Sequence, residues 1–119
     1  MKKQSQWTVI ATERFNLWLL EQTEDVRQSV FASLNNLKMY GYQLSRPYAD
    51  TIKGSKYPNM KELRIQHKGR PLRAFFAFDP LRQAIVLCTG DKSNDKQFYE
   101  RMIEIADAEF TDYLQSLEQ

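Results

Sequence analysis

The 119 residues and 14.1 kDa of this chain suit a single domain, 1–119, and 42% hydrophobic residues are enough to build a core. Residues 1–7 lack the apolar centre of a signal peptide and no stretch has the length to span a bilayer, so the expected location is the cytoplasm, with no membrane partner. The net charge is only +2, but residues 53–96 carry ten basic side chains against four acidic ones, and residues 97–119 carry one against six. A basic middle and an acidic tail suit a protein that meets nucleic acid with one surface, or else ordinary solvated charge.

In chain order, Gln6, Trp7, Thr8, Val9 and Ile10 read as a short strand, and Thr12 followed by Glu13 reads as a helix N-cap with an acidic first turn. Phe15, Trp18 and Leu19 give the first helix its apolar face. Thr23 with Glu24 and Asp25 starts a second helix, whose stripe is Val26, Val30, Leu34 and Leu37 and whose end is a left-handed cap at Gly41. The two helices form a hairpin. Residues 43–59 contain Pro47, Gly54 and Pro58 and are expected to be irregular, carrying Lys53 and Lys56 toward the sheet.

Residues 61–66 alternate polar and apolar, and residues 71–78 resume after His67, Lys68, Gly69 and Arg70, which reads as strand, tight turn, strand. With Lys68 and Gly69 as the central turn residues, His67 pairs with Arg70 and Arg64 falls directly opposite Arg73, on one face of the sheet. Like charges so placed destabilise a sheet by roughly 0.2–1 kcal/mol, so a chain that holds such a pair has reason to bind an anion there, a phosphate being the natural choice. Structural ion pairs from Arg64 and Arg73 to Glu62 and Asp91 are the competing reading.

Asp79, Pro80, Leu81 and Arg82 form a turn that folds the chain back into a third strand over 82–88. Its lone cysteine, Cys88, has no partner for an internal disulfide and no Cys or His at metal-ligand spacing. These central strands are apolar on both faces, which predicts helices on one face and a partly apolar, partly basic concavity or a partner segment on the other. Residues 89–95 leave the strand and bring Lys92 to the same end of the sheet as the arginine pair. Asn94 or Asp95 then caps a final helix with the stripe Tyr99, Met102, Ile103, Ala106, Phe110, Tyr113, Leu114 and Leu117. Tyr99, one turn into that helix, either offers a ring on which a base stacks or belongs to the core.

The only histidine, His67, belongs to the hairpin tip about 10 Å from the arginines at a rise of ~3.3 Å per residue, a turn or surface position. Asp91 and Asp95 without further ligands make a poor metal site, and the chain has no glycine-rich phosphate loop, nucleophile elbow or zinc spacing. The fold class is α+β in the order β-α-α-β-β-β-α, a small antiparallel-cored sheet packed by an N-terminal helical hairpin and a C-terminal helix.

That order, with Lys61-Glu62-Leu63-Arg64, Arg73 in the next strand and Gly90-Asp91-Lys92, resembles the RelE/ParE superfamily of bacterial toxins, in its phage-derived, HigB-type, Gp-like branch. Residues 46–56 and 98–103 also look typical of that branch. The resemblance covers nearly the whole chain and implies a ribosome-dependent mRNA endonuclease of a type II toxin–antitoxin system. It also implies that the enzyme works without a metal or other cofactor and is held in a hetero-oligomer by an antitoxin that usually carries a helix-turn-helix domain. In RelE-like members the RNA 2′-hydroxyl attacks the adjacent phosphate, giving a cyclic phosphate and a free 5′-hydroxyl. The family pattern maps onto Arg64 near the attacking hydroxyl, Arg73 as stabiliser of the phosphorane, Lys92 as general acid and Tyr99 as the stacking or orienting ring. Lys53, Lys56, Lys61, His67, Lys68, Arg70 and Lys96 are the expected RNA-binding set around them. Gln66 departs from the pattern, because RelE has a lysine at the matching position and a glutamine cannot take a proton. Two rivals follow: a ParE-like gyrase poison on the same fold, and a non-catalytic module that binds RNA or antitoxin.

Overall fold

A computed structural model describes residues 6–118. The signal-peptide reading of residues 1–7 therefore falls mostly outside the described residues. Strand β1 (Val9–Ala11) leads through Thr12 into helix α1 (Glu13–Leu20) and then α2 (Glu24–Tyr40), the helical hairpin expected from the two apolar stripes. Thr12 does two jobs with one hydroxyl: its Oγ1 accepts from the Phe15 backbone N–H at 3.1 Å, capping α1, and donates to the Leu87 carbonyl at 2.8 Å. Helix α2 ends at Gly41, where φ is +51°. A Cβ at that position would lie 2.1 Å from the Trp7 ring, so only glycine lets the chain turn beneath the indole.

Four strands follow rather than three. β2 (Ala49–Thr51) lies inside the stretch expected to be irregular and pairs antiparallel with β3 (Lys61–His67). Pro47 and Gly54 bracket these three residues, so strand propensity is masked by the punctuation on either side. β4 (Arg70–Phe78) and β5 (Ala84–Asp91) complete a five-stranded mixed sheet in the order β1-β5-β4-β3-β2, with β1 parallel to β5. The β3–β4 turn has positive φ at both Lys68 (48°) and Gly69 (79°), the two-residue hairpin geometry whose twist matches the strands. The register is the one counted from the sequence: His67 opposite Arg70 and Arg64 opposite Arg73.

The third long strand starts and ends later than expected, at 84–91 in place of 82–88. Asp79 takes residues 79–83 out of the ladder: its carbonyl accepts from the Arg82 N–H and its carboxylate from the Gln83 N–H, at 2.9 and 2.8 Å. Thr89, Gly90 and Asp91 are strand rather than exit loop. A β-bulge changes the register between Phe75, opposite Cys88, and Phe76, opposite Val86, which leaves Leu87 as the extra residue. The bulge brings Gly90, and not Thr89, opposite Arg73.

Helices cover both faces. Phe15, Val26, Val30 and Leu37 pack on Leu63, Ile65, Leu72, Ala74 and Phe76, while Phe98, Met102, Ala106 and Phe110 of α3 (Phe98–Ser116) pack on Phe75, Ala77, Ile85 and Leu87. This corrects the expectation of helices on one face only; residues 72–78 are all buried because each face of β4 has a helical cover. α3 begins after Gln97, not at Asn94 or Asp95, because Asp95 spends its Oδ1 on the Gln97 N–H at 3.1 Å in the turn before the helix. Burial pushes the Cys88 thiol up to about 12, so it stays protonated and inert. No helix among the described residues is long and apolar enough to cross a membrane.

Replacing Gly41 by alanine forces a methyl group into the Trp7 ring at a positive φ. Urea denaturation should show a loss of about 3 kcal/mol or more, against the roughly 0.5 kcal/mol of an ordinary surface change.

Candidate functional site

Alternation along β3 puts Glu62 and Arg64 on the α3 side of the sheet while Leu63 and Ile65 enter the core beneath α2. Arg73 arrives on the same side from β4, opposite Arg64, and Asp50 arrives from β2, opposite Glu62. The two guanidinium groups do not stand bare. Glu62, only 3% exposed, lies between them, with Arg64 Nε 3.2 Å from Oε2 and Arg73 Nε 3.6 Å from Oε1. Of the alternative ion pairs, Glu62 takes both arginines, and Asp91 pairs with Arg70 at 2.9 Å.

The pairing with Glu62 leaves Arg73 incompletely bonded. Its Nη1 donates to the Leu72 carbonyl at 3.1 Å, but its buried Nε has no hydrogen-bond partner, since 3.6 Å is beyond hydrogen-bond reach. An unmet buried donor costs on the order of 1–3 kcal/mol, more for a charged group, so Arg73 holds a standing demand for an anion.

The N-terminus of α3 supplies the next group. Tyr99 is the second residue of the helix, not one turn in, and its hydroxyl donates to Glu62 Oε1 at 2.7 Å. Its position follows from Gly90: a Cβ there would stand 2.9 Å from the Phe98 ring, so the bare backbone opposite Arg73 is what lets the start of α3 settle onto the sheet. Burial, and then the Glu62 carboxylate, raise the Tyr99 phenol above its ordinary value, so it is a donor near neutrality. Tyr99 thus belongs partly to the core, against Phe75 and Phe98, and partly to the site. Lys92 completes the group. Its backbone N–H donates to the Pro71 carbonyl at 3.1 Å and its ammonium lies 5.5 Å from the Tyr99 ring centroid, within cation–π range. Arg64, Arg73 and Lys92 against Glu62 leave two positive charges in excess at a partly dry surface, an arrangement whose charge and donor geometry suit an anion such as a phosphate.

A second carboxylate extends the chain of alternating sign. Asp50 Oδ2 accepts from Arg46 Nε at 2.8 Å, lies 2.7 Å from Arg46 Nη2 in the same ion pair, and lies 3.9 Å from Arg64 Nη2. Neither Glu62 as the central anion nor Asp50 stands out in the sequence. The available signal was the i, i+2 spacing of Glu62 and Arg64 on one strand, which puts them on the same face.

Most of the expected RNA-binding residues make their contacts elsewhere. His67 is a correction: it is buried, not a surface turn residue, because its odd register points it under α2, where Nδ1 lies 2.7 Å from Ser29 Oγ and Nε2 3.3 Å from Asp25 Oδ2. Lys68 joins it on Asp25 at 2.9 Å. The Thr23 hydroxyl and Lys68 hold the Asp25 carboxyl well below the usual carboxylate range, and the cluster ties the hairpin tip to the start of α2. Lys61 donates to Thr51 Oγ1 at 3.2 Å, and Lys56 lies 5.3 Å from the Tyr57 ring beside α3, where its backbone N–H meets Asp107. Lys53 and Lys96 are exposed. None of these lysines, nor Arg70, makes an ion pair with Glu62 among the described residues.

Removing the central carboxylate should unbalance the site from within. Glu62→Gln leaves two guanidinium groups facing each other and should lower the unfolding free energy by about 3 kcal/mol. Arg64→Ala, at a side chain 30% exposed, should cost under about 1 kcal/mol. Urea denaturation at pH 7 checks the order, and the reverse order would remove Glu62 from the centre of the group.

Comparison with known proteins agrees with this architecture. The family described as phage-derived protein Gp49-like (DUF891) matches residues 17–111. Two Mycobacterium tuberculosis proteins, named for the toxins HigB2 and HigB3, are each 40% identical to it, over 114 and 109 residues. Those alignments cover 94% and 91% of this chain; the chain spans 56% of the length of the HigB2 protein and 94% of the HigB3 protein. A solved structure of the E. coli toxin RelE, an arginine-substituted mutant in the free state, superposes with a TM-score of 0.60 at 12% identity, covering 84% of this chain and 98% of that one, which shows a shared fold. With a matching family and two HigB relatives, the chain belongs to the Gp49-like family and to the HigB toxins of toxin–antitoxin systems, on a fold shared with RelE.

Proposed function

We propose that this toxin is a metal-independent endoribonuclease that cuts mRNA on the ribosome in the cytoplasm and is silenced by a helix-turn-helix antitoxin in a hetero-oligomer. One observation supports the reading: two guanidinium groups and a phenol gather around Glu62 and an ammonium lies over the phenol ring, with two positive charges in excess. In the proposed step the RNA 2′-oxygen bonds to phosphorus as its proton passes to water, the bond to the 5′-oxygen breaks, and Lys92 supplies a proton to that oxygen. The products are a cyclic phosphate and a free 5′-hydroxyl. Arg73 and Arg64 face the nonbridging oxygens, where charge grows in the transition state. Fixed donors stabilise such charge far better in a partly dry site than in water. Tyr99 orients the group, and Glu62 holds the two arginine forks at a set separation until a phosphate competes for them.

Arg73→Ala should abolish growth arrest and cut the rate of mRNA cleavage by about 10²–10³, as loss of an oxyanion-hole donor does, with the circular dichroism spectrum unchanged. Full toxicity in the folded variant overturns the assignment. Lys92→Gln should slow cleavage while ribosome co-sedimentation is preserved; loss of binding instead makes Lys92 a tether. Following total mRNA, DNA supercoiling and growth after induction separates the readings: rapid mRNA loss supports the nuclease, altered supercoiling without mRNA loss the gyrase poison, and normal growth the binding module.

A further inference from the structure

A cleft of about 570 Å³ lies between α1 and α3 and shares no lining residue with the arginine group. It exists because β1 stops early. β1 pairs with β5 only over Ala84–Val86, the chain then turns through Thr12 into α1, and beyond that point the outer edge of β5 has no strand neighbour among the described residues. Leu17 and Trp18 of α1 and Met102 and Ile105 of α3 form apolar walls over Cys88 and Thr89. Leu17 is 55% exposed, a large apolar side chain left to solvent at the rim.

Two further observations point to a ligand and give its chemistry. Thr89, 8% exposed, presents a buried hydroxyl that has no hydrogen-bond partner, although buried hydroxyls are ordinarily bonded. Around the mouth stand Glu13, Glu21 and Glu109 against Arg14 alone, and Arg14 is already paired with Glu109 at 3.3 Å. Glu13 and Glu21 make no ion pair among the described residues. The cleft is therefore apolar inside and acidic outside, the opposite of the basic surface around Arg73, and it repels nucleic acid.

We propose that this cleft docks a segment of a protein partner in which large apolar side chains alternate with lysine or arginine. The apolar side chains fill the space between Trp18 and Ile105, a polar atom of the segment reaches the Thr89 hydroxyl, and the basic heads lie along Glu13 and Glu21 with their stems on Leu17. The assignment is independent of what the arginine group does.

The test is a titration of the 15N-labelled full chain with a blocked seven-residue peptide alternating valine and lysine, and with its valine–glutamate counterpart. The lysine peptide should shift the Trp18 indole and the amides of Leu17, Cys88, Thr89 and Gly90. The glutamate peptide should bind at least tenfold more weakly. Combining Glu13→Lys with Glu21→Lys, both at exposed positions, should weaken the lysine peptide at least fivefold. Equal binding of the two peptides, shifts confined elsewhere, indifference to the charge reversal, or no shift at millimolar peptide each overturns the proposal. So does a uridine oligonucleotide that moves the same amides.

Discussion

A carboxylate buried between two guanidinium groups sets the terms for the rest of this molecule. Arg64 and Arg73 are forced together by hairpin register, and like charges at that spacing would push the strands apart were Glu62 not on the same face two residues before Arg64. Glu62 can be buried because Arg64 and the Tyr99 hydroxyl donate hydrogen bonds to it and the Arg73 charge lies 3.6 Å away. Each member depends on the others. The sheet supplies Glu62 and the arginines, the start of α3 supplies the phenol, and the loop between them supplies Lys92. The two arginines are therefore held apart at a set separation, with one of them, Arg73, short of a hydrogen bond.

The bulge in β5 links this site to the packing of the whole α3 face. With Leu87 as an extra residue, glycine rather than threonine falls opposite Arg73, and the missing side chain is the space into which Phe98 fits. Phe98 anchors the first turn of α3 on Phe75, which sets where Tyr99 starts and so where its hydroxyl ends. An irregularity in one ladder thus becomes a position in the site, a common use of bulges beside functional groups.

Charge is divided by surface as well as by sequence. The basic strands hold Arg64 and Arg73 at Glu62 and the next loop sets Lys92 over Tyr99, while α1 and the acidic α3 turn carboxylates toward the cleft beside β5. Two surfaces of opposite sign on so small a body allow an anionic polymer and a cationic protein segment to meet it at separate places. The cluster of His67, Ser29, Asp25 and Lys68 belongs to neither surface. It pins the hairpin tip against α2 and thereby holds the strand register on which the arginine pair depends.

Much of the architecture was legible in the chain itself, because it rests on local chemistry. The Thr12 cap, the start of α2 after Thr23, the stop at Gly41, the Lys68–Gly69 turn and the Arg64–Arg73 register follow from one capping hydroxyl, acidic first-turn residues, positive φ and a period of two, none of which needs knowledge of distant residues. Strand β2 was hidden, since three residues between Pro47 and Gly54 become a strand only when β3 offers its edge. His67 read as a surface residue because parity decides its face and only α2 decides what lies there. The role of Glu62 and the true opposition of Gly90 to Arg73 were settled by tertiary structure alone. The first needs a phenol 37 residues away in sequence, and the second needs a bulge that no local pattern in β5 announces.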